Sequence, residues 1–308
     1  MAEEQQKALM YFEGVQVKTS DLLMKDTELK EAVNVNLSEY GTIQKRAGYT
    51  QVGDTLETGK DILGLFPYYN QDGTNQLIAA TNDSTGAHLQ VLFRTTQNWG
   101  TLQTISSEAD TKIEGCNFIN YAFVVGYNPT DQTFLDTFSW DGTNYSTSTH
   151  LTNAPNGKFI VSCNGYLTVL NGTDHNGNRA TSRAWWASPP TTLPLAVSWD
   201  NDNNWWDFEP HDGEEISGAI VNFNRILVFK PTSFHLFDPV GQTSDVISKS
   251  IGCDSHRSIV NIGPYTIFYN RKGVYATDGG EPQLISEPVV KFIDAILQDN
   301  IGSVCGLS

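Results

Sequence analysis

Ile226-Leu-Val-Phe-Lys-Pro-Thr-Ser-Phe-His-Leu-Phe-Asp238 and Thr266-Ile-Phe-Tyr-Asn-Arg-Lys-Gly-Val-Tyr-Ala-Thr-Asp278 align without a gap. Each stretch is an apolar β-type run, a polar turn, a second such run and a closing Asp. A hairpin that recurs at about the 40–50-residue period of a four-stranded blade points to small sheets stacked around an axis rather than to one large core. Toroids of this kind bind, adhere, cap or form channels.

Outward from these hairpins, β-type runs are punctuated by Asp72-Gly73, Asp141-Gly142, Asn156-Gly157, Asn164-Gly165, Asp212-Gly213 and Asp278-Gly279. Each dipeptide supplies the positive φ that a tight hairpin turn requires. The units start at Ile62, Ile113, Phe159, Ile216 and Ser258, and an insertion from Pro189 to Glu215 lengthens the third. The fold class read from this pattern is all-β: a β-propeller of five or six blades over residues 54–289. Residues 1–53 carry no blade pattern and read as an extended N-terminal arm, with a short helix around Thr27–Ala32. Residues 290–308 read as a short C-terminal helix, apolar through Val290, Phe292, Ile293 and Ile296, and then the opening strand of a closing or incomplete blade over Ile301–Ser308. Because propellers avoid bare edges, that edge needs a partner from within the chain or from a neighbour.

The composition fits many short strands joined by turns, with 39% apolar residues in 308 and a net charge of −16. Such acidity disfavours general affinity for nucleic acid, since a phosphate binder shows a basic stripe. It is compatible with a passage along which DNA slides without adhering. The opening Met1–Lys7 has no signal-peptide pattern, and no apolar run reaches membrane-helix length, so the expectation is assembly in a cytoplasm without a membrane anchor. Cys116, Cys163, Cys253 and Cys305 are widely spaced and read as free thiols.

The candidate chemistry is sparse. The six histidines are scattered singly, and Asp200–Asn204 resembles a calcium loop but has Trp205 where glycine belongs and His211 where a bidentate Glu belongs. No metal site, cofactor site or catalytic spacing is read. Trp185, Trp186, Trp199, Trp205 and Trp206 crowd the insertion, either as a stacking platform for sugars or as packing between blades; packing is the favoured reading. Asp207, Glu209, Asp212, Glu214 and Glu215 are candidates for an acidic face toward a channel, and equally for a solvated loop.

Two segments resemble a known family. Glu31–Tyr49 contains Asn34-Val, Gly41, Ile43, Arg46 and Gly48-Tyr in the order Asn-Val-x-x-x-x-x-Gly-x-Ile-x-x-Arg-x-Gly-Tyr. That motif is similar to the opening of tail-associated virion proteins of tailed bacteriophages. Ser198–Gly218, Arg225–Phe237, Gly252-Cys-Asp-Ser-His-Arg-Ser-Ile-Val260, Lys272–Gly280 and Leu284–Pro288 resemble the propeller body of the same proteins. The resemblance implies a non-enzymatic tail, hub or nozzle propeller in the virion. It further implies a homo-oligomeric ring that contacts adaptor, portal, fibre or hub proteins and lets DNA pass transiently. The rival reading is a receptor- or carbohydrate-binding propeller that uses the tryptophan-rich insertion.

Overall fold

Along Ile62–Tyr69 the side chains alternate between two fates: Leu63, Phe66 and Tyr68 are buried, whereas Ile62, Leu65 and Tyr69 are exposed. A strand sends successive residues to opposite faces, and a bulge between Ile62 and Gly64 keeps Leu63 on the side of Phe66. The computed structural model describes residues 61–306, apart from 74, 84–85, 94–97, 107–110, 144, 147–150, 188–196, 201, 223 and 297, together with short stretches between 14 and 51.

Five four-stranded antiparallel sheets follow one another. The first blade comprises Ile62–Tyr69, Asn75–Asp83, Gly86–Phe93 and Asn98–Ser106. The second comprises Lys112–Phe118, Tyr121–Asn128, Thr133–Trp140 and Tyr145–Ser146. The third takes Asn156–Cys163, Tyr166–Thr173 and Arg179–Ala187, and recruits its outer strand, Trp205–Asp207, from the insertion. The fourth is Gly218–Asn222, Arg225–Phe229, Phe234–Asp238 and Thr243–Ser248; the fifth is Val260–Ile262, Tyr265–Asn270, Gly273–Thr277 and Gln283–Leu284. The fold is a five-bladed β-propeller, the lower of the two expected counts.

The two quoted hairpins are equivalent in register. Ile226 pairs with Phe237 and Phe229 with Phe234 in the fourth blade. Thr266 pairs with Thr277 and Tyr269 with Val274 in the fifth, so each pairing recurs at the aligned position.

Apolar side chains join the blades in sequence. Phe66, Tyr68 and Ile78 pack with Ile113, Val124 and Trp140 between the first and second blades. Phe123 and Val125 meet Ile160, Val169 and Trp185 between the second and third. Trp186 and Phe208 meet Ile226 and Phe237 between the third and fourth, and Phe229 and Phe234 meet Phe268 and Tyr275 between the fourth and fifth. Among the described residues no such cluster joins the fifth blade to the first. Arg257 bridges that seam instead, donating from Nη2 to the Leu63 carbonyl. Leu65 and Tyr69 on one side, and Ile262 and Tyr265 on the other, lie on the faces turned away from the neighbouring blade and are exposed.

Tight backbone crossing ties the fourth blade to the fifth. Cys253 N donates to the Lys230 carbonyl at 2.9 Å, which brings Gly252 so close that a Cβ there would collide with the Lys230 carbonyl and the Ser233 backbone. Neither backbone is free to move, so Gly252→Ala is expected to cost at least the ~1–3 kcal/mol of a moderate overpacking. Denaturant unfolding checks this, and a loss below about half a kcal/mol, the size of an ordinary surface change, would refute it.

The chain ends differ from their expected forms. Most of the 1–53 arm and its motif lie outside the described residues. Where a helix was expected, Glu28–Leu29 is a short strand paired in parallel with Gly14–Val15, and Val35–Asn36 pairs with Gln44–Lys45. The expected C-terminal helix is present as Val290–Asp294. Ile301 does not open a strand: Gln298–Ser303 forms a 3-10 helix, and described residues 304–306 are irregular. Ser255 Oγ donates to the Gly302 and Val304 carbonyls, and Gly306 N donates to the Arg257 carbonyl. These bonds fold the segment onto the fifth blade's entry, which uses up the polar groups that a ladder would need.

Candidate functional site

The acidic stretch of the insertion runs between the third and fourth blades, and every member has a partner. Asp207 accepts two hydrogen bonds from Arg183, at 2.6 and 2.8 Å. Glu209 lies 3.2 Å from Lys249 Nζ and 3.6 Å from His235 Nε2. Glu214 accepts from the Thr232 hydroxyl and backbone amide, and Glu215 accepts from Lys158 Nζ at 2.9 Å. Lys230 occupies the centre. Its side chain is 0% exposed, and Nζ donates to both Asp212 oxygens at 2.8 and 2.7 Å and to the Glu209 carbonyl at 3.0 Å. A buried ammonium is tolerated only when its donors are satisfied in this way. None of the five acidic residues lines the axial cavity of the propeller.

The tryptophans divide. Trp185, Trp186 and Trp199 are buried in the cores on either side of the third blade. Trp206 is half-buried, 6.3 Å from the Phe237 ring. Trp205 is the exposed member, and the Arg183 guanidinium covers it at 3.8 Å from the ring centroid. A sugar platform needs an open aromatic face, and here the cation takes one. Asp200 spends its carboxylate on its own loop, accepting from the amides of Asp202 and Asn203 and from the Asn203 side chain. Those bonds, the Asn203 side chain's foremost, hold its pKa below the ordinary value.

At the axis, the first strands of four blades and His256, Arg257 and Ile259 of the fifth line an open space of about 680 Å³, with Cys305 and Gly306 at the wall. Glu114 is the charged focus, with His256 Nε2 at 3.5 Å and Arg257 Nε at 3.8 Å. A space of this volume admits a small molecule, not a nucleic-acid duplex. Burial pushes the Cys116 thiol on its wall up to about 12, and those of Cys163 and Cys253 elsewhere to about 11, so these thiols stay protonated at neutral pH.

The residues that carry the resemblance in the fourth and fifth blades are tied into backbone contacts. Ser217 Oγ donates to the Cys253 carbonyl and Ser258 Oγ to the Ser255 carbonyl; outside those stretches, Asn270 Nδ2 donates to the Pro231 and Gly252 carbonyls. No family model matches the chain, and no curated protein does. Among solved structures the chain is similar to the AfRom2 CNH domain, with 11% identity and a TM-score of 0.36 over 83% of this chain and 69% of that one. A likeness that faint carries no argument about function. Two features of the site were missed in the sequence: burial of Lys230, and the recruitment of Trp205–Asp207 as a blade strand.

Proposed function

We propose that this chain is a non-catalytic structural propeller of a tailed-phage virion, placed in the tail or neck and assembled in the host cytoplasm as a homo-oligomeric ring. The observation that carries the reading is the use made of Ser217 and Gly252–Ser258. Ser217, Gly252 and Ser258, which lie in the stretches that resemble tail propellers, are spent on backbone contacts within and between the fourth and fifth blades. The exposed Leu65, Tyr69, Ile262 and Tyr265 beside the seam supply apolar surface for neighbouring subunits, adaptor, portal, fibre or hub proteins.

The axial cavity is too small for a duplex, so DNA would pass through a ring of several copies and not along the axis of one propeller. Asp207, Glu209, Asp212 and Glu215 of the insertion are paired with Arg183, Lys249, Lys230 and Lys158, so most of the acidity facing such a path would come from other parts of the −16 chain. A cryo-EM map of the intact particle tests this. The expected result is a closed ring of this propeller around the DNA path, with the seam face covered by a neighbour. Single copies at the particle periphery, or a seam face left in solvent, would overturn it.

A further inference from the structure

The first strand of the first blade turns Leu63, Phe66 and Tyr68 toward the second blade, and Leu65, Pro67 and Tyr69 stand exposed on its other face. In the fifth blade Phe268 faces the fourth, so its strand neighbour Ile267 faces away. Val260 pairs with Ile267 and Ile262 with Tyr265, which puts all four side chains on that outward face. At the other four junctions such faces meet and bury each other. Here Leu65 is 52% and Ile262 49% exposed, against 5% for Phe66 and 0% for Phe268. Two apolar faces flanking one seam gain by closing on each other unless something stands between them.

Residues 298–306 stand there. Cys305 and Gly306 line the axial space together with Ile62, Leu65 and Pro67, and the rest of its wall belongs to the blades. Gly306 lies so near the fifth blade's outward face that an added Cβ would be 3.0 Å from the Ser258 carbonyl oxygen and 3.1 Å from a Val260 methyl. The strap is lightly held. Gly306 N donates to the Arg257 carbonyl at 2.8 Å, and Ser255 Oγ serves the Gly302 and Val304 carbonyls at 3.1 and 2.7 Å. A hydroxyl has one proton, so those two carbonyls share it. Of residues 301–306 only Ile301 is buried. One buried side chain and a few shared bonds put such a segment at the low-stability end of a fold. Arg257 stands at the hinge, its guanidinium on the Leu63 carbonyl and its own carbonyl on the strap.

We propose that residues 298–306 are a displaceable wedge that holds the fifth and first blades apart. With the wedge seated, the seam keeps its apolar faces open to a neighbour. With it withdrawn, the fifth blade closes on the first about Arg257, and the two faces bury each other. Both states belong to one isolated chain, so the inference stands apart from the virion reading.

Hydroxyl-radical footprinting of the full chain, read by mass spectrometry, tests it by reporting the exposure of individual side chains. Ser255→Ala removes the shared donor and keeps the Ser255 carbonyl that Ser258 uses. Ile301 should then oxidise faster than in the parent as the strap leaves. Leu65, Tyr69, Ile262 and Tyr265 should oxidise more slowly, by about threefold or more, as half-exposed side chains enter a packed contact. Val240, exposed in a turn of the fourth blade, should not change. Gly306→Val crowds Ser258 and Val260 and should act in the same way, and it decides if Ser255→Ala fails to fold or leaves Ile301 protected. Three results would each overturn the proposal: Ile301 freed with the seam residues as reactive as before, Ile301 protected in both variants, or seam protection that vanishes on dilution and so comes from a second copy.

Discussion

Asp212→Ala should destabilise the propeller by ~3–5 kcal/mol, the cost of breaking a buried ion pair from one side. Lys230→Met should cost less, ~1–3 kcal/mol for polar partners left unsatisfied. The order follows from which charge is stranded. Without Asp212, an ammonium with 0% exposure keeps only the Glu209 carbonyl. Without Lys230, the stranded carboxylate is 31% exposed and water solvates it. The same pair sets a pH dependence. Desolvation alone would raise the Asp212 pKa, but hydrogen bonds from Lys230 and the Glu214 amide, with the Lys230 charge, outweigh it and hold the carboxyl below its ordinary value. A depressed folded-state pKa contributes stability that is complete above the unfolded value near 4 and is lost as pH falls through the folded one. Denaturant midpoints followed from neutral to acid pH should therefore fall more steeply for the parent than for Asp212→Asn. Should Lys230→Met prove more costly than Asp212→Ala, the lysine is not the costly charge and this account of the network fails.

The blades were legible because a hairpin is a local object. Its two-residue alternation and its forty-residue recurrence lie within a short window, and the matching register of Ile226–Asp238 and Thr266–Asp278 agrees with them, whereas Asn156-Gly157, read as a turn, opens the first strand of the third blade. The outer strand of the third blade was not legible. Trp205–Asp207 is three residues long and is separated from Arg179–Ala187 by an insertion, so no period announces it. The acidic stretch looked solvated or channel-facing because its partners are distant in sequence: Glu215 meets Lys158, and Asp207 meets Arg183. One signal for the buried lysine was present. Lys230 aligns with Asn270 in the repeated hairpin, and both are buried donors to backbone carbonyls, so the repeat marks a position where each turn is tied down. The seam between the fifth and first blades, where no apolar cluster forms among the described residues, was beyond reach of pattern, because Leu65 and Ile262 look as apolar as their covered counterparts.

Trp186→Ala should cost ~3–5 kcal/mol, the range for removing a large aromatic side chain from a core. Its ring is buried between the third and fourth blades, 5.3 Å from the Phe237 ring, in a cluster with Phe208, Ile226 and Val228. Blades on both sides are fixed by their own ladders, so the space cannot collapse and most of the cavity persists. Trp205→Ala should cost only about 1 kcal/mol, because it loses an exposed ring, its cation–π contact with Arg183 and one hydrogen bond to the Asp202 carbonyl. Trp186→Phe should recover part of the loss by refilling the space with an apolar ring. Equilibrium unfolding of the three variants settles how the tryptophans of the insertion are used. Large losses at Trp186 with partial rescue by Phe mean that its ring holds blades together. A Trp186→Ala protein as stable as the parent would mean that Phe208, Phe237 and the rest of the cluster hold the third and fourth blades without the ring, which is then free for another use.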